Sequence, residues 1–335
     1  MLKKFKLDFQ WPTFEPFLFC VHHNDQFPRG NGQFAPDEKL LAGRNLGEDF
    51  VEKEGFRMYH GDTVPGFPVH PHRGFETITI VRNGLVDHAD SMGAAGRYGF
   101  GDVQWMTAGQ GVQHSEMFPL LNTDKSNPVE LFQIWLNLPK KSKMAKPHFT
   151  MFWNEDIPKY ISPDQGFEVT VIAGQYAGVQ SLNPPPESWA SEKESGTHVF
   201  LIKIKKNSQM KIPPSLFQSV RVCYFFMGKS ILVNSEEVLS KTGFVIDSST
   251  ETVIQARHDD VEVLVLESRP IGEPVVQHGP FVMNTKEEIF RTFQDYQKTQ
   301  FGGWNWDRDD MVHGSEIRRF AQYPDGKIET RIVKK

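Results

Sequence analysis

Between residues 70 and 116 four side chains have the types and spacing of a metal site. They are His70 and His72 in GFPVHPHRGFET, and His114 and Glu116 in GQGVQHSEM. A β-strand turns successive side chains to opposite faces, so residues i and i+2 share a face with their heads a few ångströms apart. Each pair therefore offers two ligands to one ion. If the two strands are neighbours in a barrel, three imidazoles and one carboxylate converge. That set suits a first-row transition metal and leaves coordination positions open for chemistry. A single HxH in a polar loop is ordinarily just a solvated pair; two such pairs beside Gly-rich turns and strand-like apolar runs form the stronger pattern. The remaining histidines lack it. His22 and His23 are adjacent and would face opposite ways, while His60, His88, His148, His198, His258, His278 and His313 stand alone and read as packed or solvated side chains.

The elements that must position these residues read as strands. With 27 Gly, 22 Pro and 27 Phe among 335 residues, the chain alternates short apolar runs with turn residues, the pattern of a sandwich or barrel. Strands are expected at 76–82, 101–108, 130–138, 167–174, 197–205, 220–228, 243–249 and 261–268. Asn83-Gly84 between two apolar runs is the strongest short hairpin cue. The charged segment KKSKMAKPH sets a domain boundary near 150, and Pro270 and Pro274 end a second strand-rich unit near 272. NTKEEIFRTFQDYQKTQFGG then reads as a helix. Thr285 and Glu288 make a capping box, Ile289, Phe293 and Tyr296 space an apolar stripe, and Gly302-Gly303 stops it. The tail that follows is too short for a domain, and its two tryptophans point to docking. The two strand-rich halves suit a diverged duplication of one double-sheet roll, in which only the first carries the ligand pairs.

Bulk composition excludes several classes. Lys+Arg 37 against Asp+Glu 42 gives a formal charge of −5, without the basic footprint of a duplex-binding domain, so direct nucleic-acid binding is not expected. No window reaches the length of an apolar membrane span, so no membrane partner is expected either. Cys20 and Cys223 sit in apolar runs and read as buried free thiols of a reducing compartment. The start, MLKKFKLDFQWP, breaks with Asp, Gln and Pro where an export signal would be apolar, so the expected location is cytoplasmic.

Four motifs in order, HPHRGFET, DSMG, GDVQWMTAG and HSEM, resemble the core signature of the pirin family of the cupin superfamily. The resemblance extends upstream through PRGNGQFAPDEKLLAGRNLG and downstream through PPPESW and HGPFVMNTKEEI. It implies an all-β fold of two tandem cupin β-barrels with a C-terminal helix. Residues 1–150 would be the metal-binding cupin, 151–272 a cupin without ligands, and 273–335 a helix and tail docking onto the barrels. It also implies His70, His72, His114 and Glu116 as ligands to Fe(II), with Mn, Ni, Co, Cu or Zn as other occupants. Glu76, where many other cupins supply a carboxylate, shares strand parity with His70 and His72; the pairing with His114 favours Glu116. Val69 and Gln113 depart from the family's pattern beside the ligands, where they bear on hydrogen bonds that orient imidazoles.

The activity implied is that of a quercetin 2,3-dioxygenase. A small aromatic flavonol and O2 would be the substrates, Glu116 would take the proton of the 3-hydroxyl, and the ring would open with release of carbon monoxide. Two other readings remain open: an iron-dependent redox-sensing protein acting through a regulatory protein partner, and another cupin chemistry with the same ligands. Arg73, next to a ligand, suits an ion pair as well as a substrate contact. Of Trp105 and Met106, only one can line the cavity.

Overall fold

The computed structural model describes residues 2–333, and nearly all regular structure in it is β. The site lies among six consecutive strands: β1 (Gly66–His72), β2 (Phe75–Asn83), β3 (Leu85–Asp90), β4 (Ala95–Gly99), β5 (Val103–Thr107) and β6 (Val112–Met117). They divide between two sheets. One has the order His148–Phe152, β5, β2, Asn127–Asn137, Phe17–Phe27; the other has Ile328–Arg331, Arg319–Gln322, β4, β3, β6, β1. Nearly every residue of β2 to β6 is buried, so both faces are covered and strict polar alternation is lost.

The expected hairpin at Asn83-Gly84 is instead a corner between the sheets. β2 pairs with β5, and β3 pairs with β4 and β6. Gly84 has φ +77°, and a Cβ there would stand 2.5 Å from the Pro128 carbonyl oxygen, so the corner requires glycine. The turn chemistry is that of a hairpin, but the pairing partners lie elsewhere.

Residues cluster into two compact units whose boundaries differ from simple cuts at 150 and 272. One comprises the residues up to Val21, Ile134–Pro139 and Glu155–Glu273; the other His22–Gln133, Lys140–Asn154 and the residues from Pro274 onward. The reason is strand addition. Lys3–Lys6 pairs antiparallel with Thr242–Ile246, and Arg319–Gln322 pairs antiparallel with β4. The first unit is itself a double-sheet roll. A seven-stranded sheet, running from Lys3–Lys6 to Lys159–Ile161, is accompanied by a four-stranded sheet of Gln209–Ile212, Thr252–Ala256, Ser230–Val233 and Glu236–Leu239. Val169, Phe200, Cys223, Phe225, Phe244 and Val265 are among the residues of its core. Cys20 and Cys223 are buried free thiols.

The helix spans Lys286–Thr299, with the Thr285/Glu288 capping box formed in both directions. It ends earlier than its glycines: Gln300 (φ 49°) and Phe301 (φ 45°) already take the left-handed conformation. The tail is tied to its own unit by Trp306, whose indole N–H donates to the Asp90 carbonyl at 2.8 Å. Buried Arg97 adds to this by donating to the carbonyls of Gly314 and Glu316 while pairing through two nitrogens with Asp87. No helix among the described residues is long and apolar enough to cross a membrane.

Candidate metal centre

β1 and β6 are antiparallel neighbours, and His70 stands directly opposite His114. His72 follows two residues along the same strand, and the three ring centroids lie 4.4, 4.7 and 4.8 Å apart. One ligand nitrogen from each lies within 4.8 Å of the others, the only such group of three ligand side chains among the described residues. The i,i+2 rule supplies two members from one strand, and register supplies the third.

The ring nitrogens fit a cation. His70 Nδ1 is 2.8 Å from the Pro68 carbonyl and is therefore the donor, which leaves Nε2 with its lone pair free for a metal. His114 is fully buried, and neither of its ring nitrogens has a hydrogen-bond partner among the described residues. A buried imidazole without partners costs stability unless something accepts or supplies a bond there. Burial pushes the pKa of His70 down to about 4, and it pushes those of His72 and His114 well down, with the neighbouring imidazoles adding to the effect. All three are thus neutral at pH 7, the protonation state a metal ligand needs.

Glu116 lies beside this group rather than within it: Oε2 is 4.0 Å from His114 Nε2. A β-bulge at Pro68 and Val69 shifts the register, so Glu116 faces Phe67 on one side and His88 on the other. Its Oε1 accepts hydrogen bonds from Thr79 (2.8 Å) and Tyr98 (3.4 Å), and its Oε2 accepts one from Gln133 at 3.0 Å. Burial raises its pKa above the ordinary carboxylate value, against the opposing pull of His88 and these donors. Glu76 is also fully buried but lies on β2, where it accepts a 2.6 Å bond from Thr107 and stays outside the imidazole group.

His88, read from sequence as isolated, is a neighbour of the site. Its ring centroid is 5.4 Å from that of His114, and its Nε2 is 3.2 Å from Asp90 Oδ2. The signal was present: His88 and Asp90 are themselves an i,i+2 pair on β3. Arg73 holds the helix, bonding the Gln110 carbonyl, Thr292 and Asp295 and lying 4.4 Å over the Phe301 ring. Gln113 likewise donates to the Gln300 carbonyl and accepts from Tyr296. Its departure from the usual apolar residue thus serves helix docking. Val69 donates through its backbone to Asp309. Trp105 and Met106 are both completely buried.

Known proteins match over the same parts of the chain. The Pirin profile matches residues 10–136 and the Pirin C-terminal cupin domain profile residues 199–302. Pirin-1 of Arabidopsis thaliana is 34% identical over 287 residues, 81% of this chain and 88% of its own. A Pseudomonas aeruginosa protein provisionally named a quercetin 2,3-dioxygenase is 34% identical over 240 residues, 70% of this chain and 79% of that one. A solved quercetin 2,3-dioxygenase from Acinetobacter baumannii has a TM-score of 0.70 at 27% identity, covering 90% of this chain and 98% of that one. The fold is that of two tandem cupin domains, and the chain belongs to the pirin family.

Proposed function

We propose that His70, His72, His114 and Glu116 hold one divalent metal, with Fe(II) first and Mn, Co, Ni, Cu or Zn as other occupants, and that the loaded centre cleaves a flavonol such as quercetin with O2. The observation that carries this is His114, a buried imidazole with no hydrogen-bond partner among the described residues, facing two further neutral imidazoles. The quercetin dioxygenase names of the Pseudomonas relative and the Acinetobacter structure support the substrate class. A metal bound there would act as a Lewis acid with open positions for a substrate oxygen and dioxygen.

The chain's own residues supply the rest. His70 is half-buried while His72 and His114 are buried, so substrate approaches from the His70 side. Phe67, with its ring 6.4 Å from that of His70, gives a flat molecule an aromatic surface. Glu116 takes the hydroxyl proton. Its raised pKa brings it nearer to neutrality as a base, and Thr79, Tyr98 and Gln133 fix where its oxygens point.

The test measures oxygen uptake, quercetin absorbance loss and carbon monoxide release by iron-loaded protein beside His114→Ala. Turnover that disappears with the substitution is expected. No turnover by the unsubstituted protein, shown to hold one iron per chain, refutes the catalytic reading and turns the site toward redox sensing through a protein partner.

A further inference from the structure

The other unit, which contributes nothing to the imidazole group, has a cavity of its own of about 680 Å³. One side of it is built by three neighbouring strands that place His198, Glu267 and Arg221 in a single row. Glu267 is the register partner of His198 on one side and of Arg221 on the other. Side chains in one row across a sheet share a face, and all three line the cavity.

The row is an incompletely satisfied charge cluster. Arg221, 2% exposed, donates through Nε to Glu267 Oε2 and through Nη2 to the Pro213 carbonyl at 2.9 Å. Its Nη1 has no hydrogen-bond partner among the described residues. Glu267, 1% exposed, also accepts from the Ser219 hydroxyl, and His198 Nδ1 lies 3.6 Å from Glu267 Oε2. A plain structural ion pair would be packed over by apolar side chains. Here Arg221 lines an open volume of the size that holds small organic molecules, and its Nη1 is a buried cationic N–H group without an acceptor among the described residues. The lining also includes Tyr176, Phe200 and Phe217.

We infer that this cavity binds a small organic carboxylate, its apolar body among Tyr176, Phe200 and Phe217 and its oxygen bonded to Arg221 Nη1. Bonds from guanidinium to carboxylate are roughly twice as strong as neutral ones, so the acid is recognised over its amide. Glu267 takes the Nε donor and the Pro213 carbonyl takes Nη2, which leaves Nη1 as the donor without an acceptor among the described residues. The site is independent of the metal centre and of the reaction proposed for it.

The experiment titrates 2-naphthoate and its neutral isostere 2-naphthamide into the metal-loaded full chain by calorimetry, then repeats the naphthoate titration after chelation. One saturable site per chain is expected, at least about tenfold tighter for the acid and unchanged by chelation. Ala190→Trp, at a half-buried lining position away from the charged row, is expected to abolish binding while quercetin turnover persists. Arg221→Lys is expected to weaken it by about tenfold or more. Equal affinity for acid and amide, loss of binding with the metal, indifference to Ala190→Trp, or no saturable site each overturns the proposal. If Arg221→Lys does not fold, the Ala190→Trp comparison decides alone.

Discussion

Replacing His114 with alanine tests the metal centre most sharply when read as a difference of differences. A ligand that binds only the folded chain adds RT ln(1 + [M]/Kd) to stability, about 4 kcal/mol when free metal is a thousandfold above Kd. His114 is one of the three members of the group, with its ring 4.4 Å from His70 and 4.8 Å from His72. Losing a partner that merely orients a ligand typically costs 10- to 100-fold in metal affinity, so loss of a ligand itself costs about 100-fold or more. At the same free metal the gain then falls to about 1.4 kcal/mol or below. The substitution also hollows a fully buried position, at a cost of about 2 kcal/mol or more, but that cost is present with and without metal and cancels. The assay is urea unfolding of both proteins under anaerobic Fe(II) and again with chelator. An undiminished metal-dependent gain in His114→Ala would refute the assignment of these imidazoles as ligands.

Three further outcomes follow from particular contacts. Gln133→Leu removes the 3.0 Å donor to Glu116 Oε2, a bond to a charged group worth about 1.5–3 kcal/mol; kcat should fall about 10- to 100-fold while metal content by elemental analysis stays at one. Arg97→Ala leaves the Asp87 carboxylate buried and unpaired and frees the carbonyls of Gly314 and Glu316. It should destabilise by about 3–5 kcal/mol in urea and open the tail to limited proteolysis, whereas an uncut tail would deny Arg97 that role. His23 is held neutral by burial, with His22 and Arg57 adding to it, and its pKa is pushed down to about 3. The unfolded chain takes up that proton below the ordinary value of about 6.5 and the folded one does not. Stability from this group is therefore lost as pH falls from about 6.5 toward 3, at up to about 1.4 kcal/mol per pH unit. His23→Phe should flatten the urea-midpoint profile in that window, and an unchanged slope would show that His23 is not buried neutral.

Much of the fold was legible because burial in a sheet leaves a local mark. Every strand expected from its apolar run is a strand, and the Thr285 capping box starts the helix where its side-chain bonds require. What was not legible depends on partners distant in sequence. Asn83-Gly84 has the chemistry of a hairpin turn, but nothing local reveals that β3 finds β4 and β6 while β2 finds β5. Lys3–Lys6 is short, and its partner is the distant edge Thr242–Ile246; Arg319–Gln322 pairs locally with Ile328–Arg331, but its second partner, β4, lies far away in the sequence. This is why the compact units do not follow the chain in order.

The site shows the same limit at finer scale. Parity along one strand is local, so the HxH and HxE pairs could be read directly; parity across a turn is not. Glu76 is an even number of residues from His70 and His72, yet Gly74 intervenes, with φ +85° and a would-be Cβ 1.9 Å from the Val282 carbonyl oxygen. Behind that turn the chain enters the other sheet, and Glu76 meets Thr107 instead of the imidazoles. Glu116 needs no turn to reach the site, but the bulge at Pro68 and Val69 moves it out of line with His70 and His72. Thr79, Tyr98 and Gln133 then decide its position, from three strands with no spacing relation to it. A carboxylate so restrained is held in a fixed orientation beside the three imidazoles. The placement of Glu116 relative to the histidines is therefore set by register and hydrogen bonding, neither of which a spacing rule contains.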